Sequence, residues 1–194
     1  MVIRDVARQA ERLRALDRSL ASDVLRFAPP NGGYLALVDT NALMHGQLLH
    51  ELNWAAIAPP GKVRVIIPLV VIDELDEKSY GSKDNAEKAR GALKYVQLRR
   101  DRHGPDEAVP LDATLPNVTL QLLVDRPGHE PRSNRDQEFL EHAQYVAALA
   151  EQKVVVLTTD YGIRLRATAT DLEWCVIARR AGGRPDPSES SLMR

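Results

Sequence analysis

The chain has 194 residues, 44% of them hydrophobic and 27% charged, which suits one domain with some extra length and a real core. Its net charge of −1 excludes a global basic field, so nucleic acid could be held only by a local patch. The single cysteine, Cys175, excludes an internal disulfide framework and a cysteine-based zinc site, and its run EWCVIA reads as core. The charged amino terminus has no signal-peptide core, and the longest apolar run, near VIIPLVVI, is far short of a membrane span. A soluble, cytoplasmic chain without a membrane partner is expected.

Residues 2 to about 27 read as one amphipathic helix. Val6, Ala10, Leu13, Leu20, Val24 and Phe27 recur at helical spacing, interrupted by Asp17, while Arg4, Arg8, Glu11, Arg12 and Arg18 take the other face. Residues 1–28 are thus expected to be a helical extension, packed on the domain or used for dimerisation. The run from Pro29 to Gly33 breaks it. Tyr34–Asp39 is the first strand. A helical period through Ala42, Leu43, Leu48, Leu49 and Leu52 follows, with Thr40 or Asn41 as its N-cap. Val63–Pro68 is a second strand, apolar enough to be buried on both faces, and LVVIDELDEKS starts a helix directly after it. Residues 84–101 form a further helix. Residues 102–117 read as loop, 118–124 as a third strand, 125–134 as loop and 135–151 as a helix. The fourth strand, KVVVLTT, ends at Asp160. A helix over about 163–169 and a last strand over 173–178 complete the domain. Strands alternating with helices predict a three-layer α/β/α domain with a mainly parallel sheet over residues 34–180. The Gly/Pro/Ser-rich residues 181–194 are expected to be a disordered tail.

One stretch is strongly one-signed. From Lys78 to His103 there are eight Lys/Arg against three acids, either a solvated helix face or a track for a phosphate backbone. His45, His50, His103, His129 and His142 show no metal spacing, and no Gly-rich phosphate loop is present.

Four acids occupy comparable places. Asp39 ends the first strand, Glu74 lies early in the helix after the second, Asp136 opens the helix after the third, and Asp160 ends the fourth. In an open α/β sheet the carboxyl ends of the strands form the ligand-binding edge. Carboxylates gathered there repel one another unless a hard divalent cation such as Mg²⁺ or Mn²⁺ joins them. Singly, Asp39 and Asp136 could equally be helix caps and Asp160 part of a turn, while Asp73, Asp76 and Glu77 compete with Glu74.

The segments LVDTN, VVIDELDEKS, NRDQEFLEHA and VLTTDYGIRLRA resemble, in order and context, the motifs of PIN-domain nucleases, over about residues 34–178. The resemblance is nearer to the larger stand-alone or ATPase-associated PIN domains than to the short toxin type. In the third motif Gln137 stands where the commoner form has a second acid. The resemblance implies a metal-dependent endoribonuclease that hydrolyses single-stranded RNA. Asp39, Glu74, Asp136 and Asp160 would be both catalytic residues and ligands of Mg²⁺ or Mn²⁺, holding a metal-activated water. Thr40, Asn41 and Thr158 would support the carboxylates. A homodimer and an inhibitory protein partner are also compatible with it. The alternative is a catalytically inactive PIN-like module that binds RNA or protein. A receiver-like phosphoacceptor needs a pair of acids after its first strand and a lysine after its last, where this chain has only Asp39 and then Arg179-Arg180. A haloacid-dehalogenase-type phosphatase needs a second aspartate where Asn41 stands.

Overall fold

The computed structural model of the protein describes residues 2–27, 33–59, 61–104, 107–125, 129–150 and 154–180. The helices are α1 (Val2–Phe27), α2 (Thr40–His45), α3 (Trp54–Ile57), α4 (Leu69–Ser79), α5 (Lys83–Arg100), α6 (Arg135–Ala150) and α7 (Tyr161–Ala169). The strands are β1 (Tyr34–Val38), β2 (Val63–Pro68), β3 (Val109–Pro110), β4 (Val118–Leu123), β5 (Val154–Thr158) and β6 (Glu173–Val176). They form one sheet in the order β3-β4-β2-β1-β5-β6, with helices flanking it in a three-layer α/β/α arrangement. Every pairing is parallel except β3 with β4.

The continuous aliphatic runs of β1, β2 and β5 lie in the middle of the sheet because a parallel sheet covered on both faces can bury every side chain of such a strand. Leu35, Ala36, Leu37, Val65, Ile66, Ile67, Val156 and Leu157 are fully or almost fully buried. From β1 the chain moves outward through β2 to β4, then crosses back to place β5 and β6 on the other side. The order therefore reverses between β1 and β5, and such a reversal opens a crevice at the carboxyl ends of the two strands. Register sharpens the point. Val38 is paired with Leu157, so Asp39 and Thr158 come off neighbouring strands at the same level.

Several local expectations are corrected. The N-cap of α2 is Asp39 itself, whose carboxylate accepts the Ala42 amide, not Thr40 or Asn41. The helical period expected through Leu52 is interrupted. The helix stops at His45, a short 3₁₀ turn covers Leu49–Glu51, and Trp54 begins α3, although Leu49 and Leu52 are buried as the apolar pattern demanded. The expected loop 102–117 contains β3, a two-residue edge strand ending in proline. So short a strand has no periodicity to read, and proline is tolerated there because an edge position need not donate to a ladder. The expected tail and most of the run 29–33 lie outside the described residues, as do 126–128 of the loop before α6.

α1 joins the domain by its last turns. Phe27 is fully buried, the Tyr145 hydroxyl donates to Asp23 at 2.6 Å, and Arg64 donates to the Arg26 carbonyl at 2.7 Å. Its earlier turns leave Val6, Leu13, Leu16 and Leu20 exposed.

The basic stretch is partly structural. Arg100 is buried, and its guanidinium donates to the carbonyls of Gly104, Glu107 and Leu120. Arg99 donates to the Leu111 carbonyl at 3.0 Å and lies 3.6 Å from the Tyr95 ring centroid. Together these two side chains hold the chain on both sides of β3. Arg90 donates to the Ser79 carbonyl at 2.8 Å, tying α5 to the end of α4.

Candidate active site

The four acids read from the sequence reach the same edge of the sheet by different routes. Asp39 follows β1 and is 2% exposed. One of its carboxylate oxygens accepts from the Ala42 amide and the other from the Thr158 hydroxyl. Thr158 Oγ1 also accepts the Asp160 amide at 2.9 Å, so one buried hydroxyl links the ends of β1 and β5. Asp160 caps α7, its Oδ1 accepting from Gly162 N at 2.6 Å and Ile163 N at 3.1 Å. A carboxylate at a helix N-terminus is favoured by the unpaired amides and the helix dipole.

Glu74 is delivered by α4, which begins on the residue after β2 without a loop. Its Oε2 accepts from Thr40 Oγ1 at 2.6 Å, and its Oε1 pairs with Lys78 Nζ at 2.9 Å. Glu74 is thus the member of its acidic run that meets the start of α2, just past the end of β1. Asp73 turns elsewhere: burial raises its pKa, and its charged neighbours are Arg135, Asp125, Glu77 and Glu138. Asp136, in the first turn of α6, pairs with Arg166 of α7 at 2.7 Å. Asp39, Glu74 and Asp136 line one cleft with Thr40, Asn41 and Arg135.

The electrostatics register this convergence. The Asp39 carboxyl is pushed up from 3.8 to about 7, chiefly by burial. The bonds from Thr158 and Ala42 pull it down, and the charges of Asp160 and Glu74 push it up again. Asp39 caps a helix as the sequence allowed, and Asp160, read there as part of a turn, is also a cap, while Asp136 lies inside the first turn of α6; capping is compatible with a ligand role. Capping occupies one face of each carboxylate and aims the rest, and a carboxylate oxygen keeps a second lone pair.

Two of the supports expected from sequence are visible, Thr40 on Glu74 and Thr158 on Asp39. Asn41 lines the cleft. Arg135, Lys78 and Arg166 are not among the site residues that the sequence points to. A basic residue in the turn beside each acid was the available signal, but which acid each would meet depended on how α4, α6 and α7 pack.

The model of the PIN domain family matches residues 36–175. This chain belongs to the PIN domain family. The span takes in Asp39, Glu74, Asp136 and Asp160, and the PIN fold is a nuclease-type fold whose members are generally metal-dependent nucleases. Among solved structures, a domain of a functionally unknown protein from Methanocaldococcus jannaschii DSM 2661 is similar, at 16% identity and a TM-score of 0.51, over 82% of this chain and 99% of that one. That likeness speaks to the fold alone. No curated protein matches the chain significantly.

The PIN acids fit a hard divalent cation by chemistry: the donors are all oxygen, and the charge of Asp39 is disfavoured first by burial and then by the charges of Asp160 and Glu74. Distances add a qualification. Among the described residues, the one group of three His, Cys, Asp or Glu whose donor atoms all lie within 4.8 Å of one another is Asp125, His129 and His142. No three of the four acids come so close. An ion such as Mg²⁺ keeps several waters and needs only one or two direct carboxylates, so the wider spacing suits it. The histidines show no metal spacing along the chain, yet two of them meet in the fold. His129 lies in the loop after β4 and His142 on α6, and only the packing of one on the other brings them together.

No described helix is long and apolar enough to cross a membrane.

Proposed function

We propose that this PIN domain is a metal-dependent endoribonuclease hydrolysing phosphodiester bonds of single-stranded RNA, with Asp39, Glu74, Asp136 and Asp160 as the acidic set and Mg²⁺ or Mn²⁺ as the cation. The observation that carries the reading is Asp39, buried at the strand-order reversal with its carboxyl raised to about 7 and the charges of Asp160 and Glu74 directed at it. Bound there, a divalent cation supplies charge neutralisation at the phosphate and makes a water more acidic.

The chain's own residues do the rest. Thr158 and the Ala42 amide hold Asp39 in one orientation, and Thr40 does the same for Glu74. Asp160 is fixed by two α7 amides. Arg135 in the cleft and Lys78 and Arg166 beside it offer cations to the phosphates flanking the scissile bond. Each is paired with an acid that solvent reaches, Arg135 with Glu77, Lys78 with Glu74 and Arg166 with Asp136, whereas Arg90, Arg99 and Arg100 of α5 are committed to backbone carbonyls. A homodimer would use the exposed apolar stripe of α1.

A second reading, a non-catalytic module that binds RNA or protein, is favoured by a different observation. Glu74 and Asp136 already have cationic partners in Lys78 and Arg166, which can neutralise them without a metal. Manganese-dependent cleavage of single-stranded RNA decides between the two. The nuclease reading requires cleavage that stops in EDTA and in the Asp160→Asn variant. RNA binding without cleavage, unchanged by EDTA, would establish the module.

A further inference from the structure

The geometry points to a second metal site, a zinc site formed by Asp125, His129 and His142, separate from the acidic cleft. The three residues come from different parts of the fold. Asp125 follows β4, His129 stands in the approach to α6, and His142 lies one turn beyond Glu138 along α6. One donor atom from each lies within 4.8 Å of the other two. The imidazole rings are 5.3 Å apart between centroids and inclined at 41°, so they converge without stacking.

Two independent features call for a cation between these side chains. The first is an unmet polar demand. His142 is 9% exposed, and neither its Nε2 nor Asp125 Oδ1, both shielded from solvent, has a hydrogen-bond partner among the described residues. The two atoms lie 3.4 Å apart, an ion pair only when the imidazole is protonated, and not a hydrogen bond. Buried polar atoms without partners are rare in folded proteins because desolvation is then uncompensated. A metal bound to both satisfies both. The separation also suits it: ligands about 2.0–2.1 Å from a tetrahedral zinc lie roughly 3.3–3.4 Å from each other.

The second feature is the surrounding support. Glu138, 2% exposed, takes Nε2 of His129 at 2.9 Å, and its other oxygen accepts the Arg132 amide at 2.9 Å. A buried carboxylate on the ring of a ligating histidine is the usual means of setting its orientation and basicity. Two imidazoles and one carboxylate form a borderline donor set that favours Zn²⁺ over Mg²⁺ or Mn²⁺, whose preferred ligands are oxygens. Three protein ligands leave a fourth position for water or another small ligand. The ion would pin the approach to α6 against that helix, close to where Asp136 begins it.

Cobalt tests the site because tetrahedral nitrogen-containing coordination gives an intense visible band, whereas octahedral oxygen coordination gives a weak one. The full chain, stripped with chelator, is titrated with Co²⁺ and then with Zn²⁺. An intense band that saturates at about one equivalent and is displaced by an equal amount of zinc is expected. His129→Gln and His142→Gln should each abolish it and raise the zinc dissociation constant roughly 100-fold or more. Asp39→Asn should retain the band. A weak band only, a band that survives both histidine substitutions, or one lost in Asp39→Asn would overturn the proposal. Should His142→Gln fail to fold by circular dichroism, the more accessible His129 decides the matter alone. The outcome is independent of whether the acidic cleft cleaves RNA.

Discussion

The acidic cleft and the histidine group sit at the same end of the sheet and are built on opposite plans. At the acidic edge, each carboxylate is placed by regular structure: Asp39 and Asp160 follow β1 and β5 and cap the next helices, α4 starts directly on β2, and Asp136 lies in the first turn of α6. Its members are spread out, individually capped or paired, and wide enough for a hydrated ion. In the histidine group, one ligand follows a strand, one lies in a loop and one is on a helix face. The donor atoms are closer together, and two of them have no hydrogen-bond partner among the described residues. The contrast teaches that a sheet edge collects like charges through topology, whereas a compact mixed-donor site needs a specific loop folded on a specific helix. The first arrangement suits a hard, exchangeable cation, and the second a tightly held one.

The contrast breaks most decisively if the cleft carries no chemistry. Asp39→Asn or Asp160→Asn should lower RNA cleavage by about 10³-fold or more, the kinetic equivalent of losing several kcal/mol of charge stabilisation. The same variants should leave zinc affinity unchanged. Cleavage that persists in both would remove the distinction.

The pH dependence of stability comes next in size. Asp39 binds its proton more tightly folded than unfolded, because burial lifts its carboxyl from 3.8 to about 7. The stability this proton contributes is complete below about pH 4 and is lost as pH rises through about 7. In EDTA, denaturant melts should show that loss, as much as ~4 kcal/mol, with Asp39→Asn flattening the curve. A wild-type curve that is level from pH 4 to 7 would contradict the burial argument.

Removing an orienting group should separate the two sites more gently. Thr40→Val, which unhooks Glu74, should weaken manganese binding about 10–100-fold without touching zinc, and Glu138→Gln should do the reverse. Isothermal titration with each metal reads both, and a variant that weakens both ions equally would merge the sites into one.

The smallest effect concerns the guanidinium already on Asp136. Arg166→Gln removes a half-exposed competitor for that carboxylate, so the manganese dissociation constant should fall, by no more than about fivefold. A rise instead would mean that Arg166 positions Asp136 for the ion.

Much of this fold could be read directly from side-chain patterns. The runs at Tyr34–Val38, Val63–Pro68 and Val154–Thr158 are too continuously apolar for anything but buried strands. Their alternation with helices is enough to imply a parallel sheet, because parallel neighbours need crossovers. From that topology follows the shared edge of Asp39, Glu74, Asp136 and Asp160, a regularity of chain order that survives small errors in element boundaries.

What needed the third dimension was every relation between residues not tied by a repeat. Thr158 bridging Asp39 and Asp160 depends on the β1–β5 register, and Arg166 meeting Asp136 depends on how α7 packs against α6. Arg99 and Arg100, which look like part of a phosphate track, turn inward to hold a two-residue edge strand that has no period of its own. His129 and His142 carry no spacing signal because one lies in irregular chain, where sequence separation says little about distance. The sequence by itself determined the order of the layers and the acids at their common edge, since hydrophobic period and chain connectivity are one-dimensional properties. Only the tertiary structure decided which polar atoms meet and which are left without partners, since that depends on register, loop path and helix packing.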